Sequence, residues 1–285
     1  MLRPGNLTLN SYLGPYKVLF REENWDYLKK ENGILKRKNG SNAYGLTTVK
    51  LLAHPDEMLL PNYPFVGFKV MSKGKETTQY SLCYSCAKTG NTQVCFHSAD
   101  ERAFVVNRPI HFINEAVFWG YTIEEIYETH LYENGQCVFE DFMAAAEEFQ
   151  GMNNDDFYKK LTKIGLCSAI GKLASRPPES QTILCYSNKD LKKELSQNFN
   201  KITDVKIVNE MVCEVTKKND IDNRLKSGTN LSLNAYVTAS AHILIWRKLY
   251  DIMKLAKSCV ILKISTGKFF YLGYFIHTHL NQKVN

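Results

Sequence analysis

Three cysteines and a histidine fall within fifteen residues, as Cys83-x2-Cys86-x8-Cys95-x-His97. Thiolates and a neutral imidazole are the donors that zinc takes in tetrahedral sites, and CxxC supplies a tight first pair. Gly90-Asn91 provides a turn between that pair and CxH. With all four positions filled by protein, the expected zinc is structural and staples a loop, because no position is open for substrate or water. The competing expectation is a set of buried thiols beside an unrelated surface histidine.

A second pattern lies in KLTKIGLCSAIGKLASRP. On a helix, Lys163, Cys167 and Gly171 share one stripe at i, i+4 and i+8, while Leu166, Ile170 and Leu173 line another. The leucine and isoleucine stripe is expected to face a core. The other presents an ammonium and then smaller groups, with room for a polyphosphate near Lys163 and for something flat at Gly171. Lys172 and Arg176 extend the positive edge. A solvated helix face accounts for the same lysines. GxSxG, HExxH and Walker A patterns are absent, and His277 and His279 alternate like strand residues.

The elements that must carry these residues alternate without a βαβ rhythm, which predicts an α+β fold with an antiparallel sheet. Residues 1 to 62 show no clear element. PFVGFKVM and TIEEIYETHLY read as strands, with a helix between 98 and 122 that ends near Trp119-Gly120. FEDFMAAAEEFQG follows the turn Glu133-Asn134-Gly135 as a helix, and a second helix runs from an Asn154 cap to Ala174, stopped by Pro177-Pro178. QTILCYS, TDVKIVN and MVCEVTKK read as strands with a short helix at KDLKKELSQ. Thr229 is placed to cap the longest helix, which reaches about Lys257 and is apolar on more than one face. VILKI and KFFYL then form a hairpin about Ser265-Thr266-Gly267.

At 285 residues and 44% hydrophobic, the chain can bury a sizeable core. No apolar run approaches a membrane span and the start lacks a signal-peptide core, so an intracellular protein, nuclear or cytoplasmic, with no membrane partner is expected. Eight cysteines in such a chain favour free thiols and a metal site over a disulfide framework. The net charge is +7, and from Asn223 onward nine Lys or Arg stand against one acid, Asp251. Nucleic acid is the commonest partner of such a basic segment.

The order of these segments resembles the protein-primed family B DNA polymerases of viral, organellar and Maverick/Polinton transposon type. HPDE at 54 to 57, the cysteine cluster with HSADERA, WGYTIEEIYETHLY, KIGLCSAIGK, ESQTILC, VKIVNEMVCEV and NAYVTASAHILIWRKLYDIM match in order. The resemblance covers roughly residues 50 to 272, the palm and fingers, without exonuclease domain or complete thumb. It implies a palm-like antiparallel sheet with fingers helices. The implied segments are 1–62, degenerate palm; 63–150, palm with an insertion holding the cysteine cluster; 151–178, fingers helix; and 179–285, the palm remainder. The family's fingers pattern, Lys-x3-Asn-Ser-x-Trp/Tyr-Gly-Lys, stands here as Lys163, Cys167, Ser168, Ile170, Gly171 and Lys172. By resemblance Lys163, Ser168 and Gly171 would meet the incoming deoxynucleoside triphosphate, and Lys172 and Arg176 the DNA.

The catalytic turn of that family is Asp-Thr-Asp-Ser, and the aligned residues are Ile264, Ser265, Thr266 and Gly267. The first family motif falls near Asn39 to Gly45, and residues 27 to 55 hold one acid, Glu31. Two-metal phosphoryl transfer needs carboxylates around Mg2+, so the Mg2+ expected for the family lacks its ligands at Asn39, Ile264 and Thr266. The resemblance therefore implies a catalytically defective DNA polymerase relic that binds primer-template. The alternatives are a non-enzymatic nucleic-acid-binding scaffold, acting beside a longer polymerase chain or a terminal protein, an active enzyme borrowing acids elsewhere, and a zinc-stapled module of unrelated role.

Overall fold

The structure is a computed structural model that describes residues 10–11, 16–72, 74–133, 136–137, 139–152, 156–175, 179–218, 230–265 and 268–275. Helices and antiparallel sheets are mixed, an α+β arrangement. The chain divides into two compact units, one of residues 1–148 and 235–285 and one of residues 149–234. The segments 1–62 and 63–148 thus share one unit and one core.

The first unit contains β1 (Asn10–Ser11), β2 (Tyr16–Phe20), α1 (Asn24–Tyr27), β3 (Leu28–Glu31), β4 (Ile34–Arg37), β5 (Gly45–Ala53), β6 (Gly67–Ser72) and β7 (Lys75–Tyr80). It continues through α2 (Tyr84–Thr89), α3 (Ala99–Arg102), β8 (Phe104–Pro109), α4 (Ile110–Phe118), β9 (Tyr121–Tyr132) and β10 (Gln136–Cys137). The antiparallel order β2-β9-β5-β8 makes its main sheet.

Along β5, Gly45, Thr47, Val49 and Leu51 turn inward while Leu46, Thr48 and Lys50 are half exposed. This is the period of two that a sheet with one packed face requires. Thr47 and Thr129, both fully buried, satisfy each other across the β5–β9 pair, with hydroxyl oxygens 2.9 Å apart.

The core joins this face to α4 through Ile110, Ile113 and Ala116, and to β6 through Phe68 and Val70. Phe65 stacks on Phe112 at 4.6 Å between ring centres and Phe68 on Phe104 at 4.2 Å. Each such buried aromatic is worth roughly 1.5–3 kcal/mol. Gly120 turns the chain from α4 into β9 at φ +99°, and a Cβ there would lie 2.7 Å from the Glu57 carbonyl oxygen, so only glycine fits.

The second unit contains α6 (Asp156–Ala174), β11 (Ser180–Cys185), α7 (Asn188–Asn198), β12 (Ile202–Asn209) and β13 (Val212–Lys218). The strands form one antiparallel sheet in the order β11-β13-β12. Ser187 caps α7 by accepting from the backbone N–H of Asp190 at 3.1 Å. α5 (Glu140–Met152) and α8 (Leu231–Leu255) contain the residues where the chain passes between units. β14 (Ala256–Ser265) and β15 (Lys268–Phe275) pair with each other as a hairpin, as expected, in a two-stranded sheet of their own among the described strands.

Three expectations are corrected. Residues 1 to 62 hold regular strands, including the nine-residue β5 at the centre of the sheet. Its glycine, threonines and lysine mask the apolar alternation, and its hydrogen-bonding partners lie far along the chain in β8 and β9. Within 98 to 122 the helix is broken: Phe104–Pro109 is a strand, with Phe104 and Val106 inward and Val105 and Asn107 outward. The cap of α8 among the described residues is Asn230, whose Oδ1 accepts from Leu233 N–H at 2.9 Å. Thr229 lies outside the described residues, as do Asn134, Gly135, Asn154, Pro177, Pro178, His277 and His279.

Candidate metal centre

Cys83 sits just beyond β7 and serves as the N-cap of α2, where its Sγ accepts from the Cys86 N–H at 3.4 Å. One turn of helix therefore carries both sulfurs of the CxxC to the same side. Gly90 ends that helix in the left-handed region, at φ +70°, and turns the chain toward Cys95 and His97. Ser98 then opens α3 with a capping box to Glu101, fixing the backbone directly after His97. Leu82, Tyr84 and Ala87 pack on the core, and the Ser85 hydroxyl donates to the Glu101 carbonyl at 2.9 Å, tying α2 to α3.

The four donor atoms lie within 4.8 Å of one another. His97 Nδ1 is 3.5 Å from Cys83 Sγ, 3.3 Å from Cys86 Sγ and 3.5 Å from Cys95 Sγ. With Zn–S near 2.3 Å and Zn–N near 2.0 Å, a tetrahedral centre separates sulfur from nitrogen by about 3.5 Å. The spacing thus fits a zinc-sized ion held by three sulfurs and one imidazole nitrogen. Cys83 and Cys86 are buried and Cys95 is exposed.

The thiols differ in their ease of ionisation. The backbone N–H of His97 leads in bringing Cys95 down to about 7, whereas burial leads in pushing Cys86 up to about 12, with the neighbouring sulfurs adding to it. A bound cation would ionise all three, since a coordinating thiol is deprotonated outright. The Asn91 side-chain amide, 3.9 Å from Cys86 Sγ, offers that sulfur one further N–H. Among the described residues this is the one grouping of three or more His, Cys, Asp or Glu donors suited to a metal. Its soft donors suit zinc and not Mg2+, which takes oxygen ligands.

The other sequence candidates lie on other elements. Lys163, Ser168, Gly171 and Lys172 are exposed on α6, and a Cβ at Gly171 would meet nothing within 4 Å. Leu166, Ile170 and Leu173 are half-buried, but α6 has no buried residue among the described ones, so the expected core face is corrected: this stripe joins neither hydrophobic core cluster. Asn39 lies in the turn after β4, where its Oδ1 accepts from Ser41 N–H at 3.0 Å and from the Ser41 hydroxyl at 2.7 Å. Ile264 pairs with Phe269 in the terminal hairpin. Thr266 and Arg176 lie outside the described residues.

One feature gave no signal in sequence. A cavity of about 650 Å3 in the first unit is lined by Tyr44, His111, Trp119 and Tyr250 and by a salt bridge between Glu115 and Arg247. Arg247 grips the carboxylate with Nε at 2.8 Å and a terminal nitrogen at 2.7 Å. Those partners stand 132 positions apart. Among the described residues, no helix is long and apolar enough to cross a membrane.

No protein-family model, curated protein or solved structure matches the chain.

Proposed function

We propose that the chain is a nucleic-acid-binding protein on a polymerase-like palm and fingers scaffold, stapled by a zinc ion at Cys83, Cys86, Cys95 and His97 and silent in nucleotidyl transfer. One observation carries the reading: α6 leaves Lys160 and Lys163 exposed within one turn, with Lys159 3.6 Å from Asp156, the helix's one acid, and Lys172 exposed further along on the opposite side. Exposed ammonium groups of this kind attract a phosphate backbone and release its counterions. The open backbone at Gly171 leaves room for a base or base pair beside them. In this reading Lys163 and Ser168 face phosphates, Lys172 and Arg176 extend the contact, and primer-template DNA is the partner, alone or beside a longer polymerase chain or terminal protein.

The silence in chemistry follows from residue types. Asn39, Ile264 and Thr266 stand where the polymerase resemblance calls for carboxylates, and neutral oxygens or an alkyl chain cannot hold Mg2+ against its water. A zinc with four protein ligands supplies no open position either. Its role is to fix the loop between β7 and β8.

The test is fluorescence anisotropy of a labelled primer-template with the zinc-loaded chain, titrated at several salt concentrations. Binding should weaken steeply with salt, with a log–log slope that counts several phosphates, and primer extension with Mg2+ or Mn2+ should be absent. A folded, zinc-loaded chain with no affinity for the DNA would favour the second reading, a zinc-stapled module of unrelated role, for which the donor cluster is the supporting observation.

A further inference from the structure

Two thiols in the second unit lie outside the metal centre. Cys185 ends β11 and Cys213 lies near the start of β13, and the antiparallel register sets them directly opposite each other. Both belong to the sheet face that carries Ile183, Val215 and Lys217, and Lys217 pairs with Glu194 of α7 at 2.9 Å, so this face lies toward α7. Cys185 and Val215 are buried, while Cys213 is half-buried. Burial first, then the nearby Glu194 and Asp190, and then Cys213 raise the Cys185 thiol.

Opposed residues of an antiparallel pair have Cα atoms about 4.5–5.5 Å apart, inside the roughly 4.4–6.8 Å window of a disulfide. Their Cβ atoms stand about 4.5–5.5 Å apart, where a disulfide wants about 3.8 Å, so closure draws the strands together by about 1 Å. On the other side of β13, the register of β12 slips between Ile207 and Asn209, opposite Cys213 and Val212. Such an irregularity lets a strand bend locally.

We propose that Cys185 and Cys213 are a dithiol pair that closes to a reversible cross-strand disulfide under an oxidising glutathione buffer. The half-buried Cys213 thiolate attacks one sulfur of glutathione disulfide and glutathione thiolate leaves, giving a mixed disulfide. The Cys185 thiolate then attacks the Cys213 sulfur and expels a second glutathione thiolate. Two protein thiols are oxidised and one glutathione disulfide is reduced to two thiols. The bond closes a loop through α7 and β12, which removes chain entropy from the unfolded state and stabilises the sheet. The pair is independent of the nucleic-acid reading.

The full zinc-loaded chain is equilibrated with oxidised glutathione, its remaining thiols are blocked with N-ethylmaleimide, and its peptides are mapped by mass spectrometry. The expected result is a Cys185–Cys213 cross-link that dithiothreitol removes, with exposed Cys167 taking glutathione as an internal control. Oxidation should raise the thermal midpoint by a few degrees in the native chain and leave Cys213→Ser unchanged. Glutathione remaining on Cys213, or a folded chain in which only Cys167 is modified, overturns the proposal; the mapping on unsubstituted protein decides even if the variant misfolds.

Discussion

His97 Nδ1 stands 3.3 Å from Cys86 Sγ although eleven positions separate the two residues. Cys86 is drawn inward by α2 and His97 is held just before the capped start of α3, so the pair is built by two short helices.

The first prediction follows from that geometry. The purified chain should carry one zinc, and Cys83→Ser, Cys95→Ser or His97→Ala should each weaken zinc binding by more than the roughly 10- to 100-fold typical of losing an outer-shell partner. Metal analysis and competition with a chelator measure this. Chelation should also lower the thermal midpoint, since metal binding to the folded form adds to stability.

A second prediction concerns α6. Lys163→Ala and Lys172→Ala should each reduce the salt slope of DNA binding by about one. Lys29→Ala should leave it unchanged, because Lys29 is engaged with Glu31 at 2.9 Å in the first unit. Unchanged slopes in both α6 variants would remove this helix from the nucleic-acid interface.

A third concerns Glu115 and Arg247, whose side chains are 9% and 60% exposed. Removing the arginine strands a carboxylate in the interior, whereas removing the acid leaves a guanidinium that already meets water. Because the pair is open to solvent on the arginine side, Arg247→Ala should cost about 2–3 kcal/mol. Glu115→Gln, which keeps an acceptor for the guanidinium, should cost about 1–2 kcal/mol. Urea unfolding with an unchanged m-value measures both, and equal costs would contradict the asymmetry.

A fourth concerns acid. Burial lowers His111 and His242 to about 4; in His242 the Arg108 charge acts in the same direction against the hydrogen bond to Phe65. Both are neutral in either state at neutral pH, where the native fold is fully favoured. As pH falls below about 6.5 the unfolded histidines take up protons first, so stability declines until the folded histidines protonate near 4. The steepest loss is about 1.4 kcal/mol per pH unit for each histidine. His242→Phe retains a ring against Trp246, at present stacked 4.1 Å away, and should flatten the decline between these pH values at matched zinc content.

The terminal elements and the Cys/His donor cluster were legible because their signals are local. CxxC is gathered by one helical turn, and the order of strands and helices from Tyr121 onward follows apolar period, caps and turns along neighbouring residues. The extent of α6 was readable for the same reason, but its expected core stripe was not realised, since none of its residues is buried.

Tertiary structure decided what depends on distant partners. β5 became the middle of a sheet because β8 and β9 supply its hydrogen bonds, and its threonines are tolerated inside because Thr47 meets Thr129. Tyr236 anchors α8 by accepting from Gly45 N–H at 2.6 Å and donating to Gly45 O at 3.0 Å across 191 positions. Composition and spacing thus determined the donor set and most element types. The pairing of strands, the partner of each buried polar group and the meeting of Cys185 with Cys213 arose only when folding brought remote segments together, since hydrogen bonds and desolvation depend on distance in space and not along the chain.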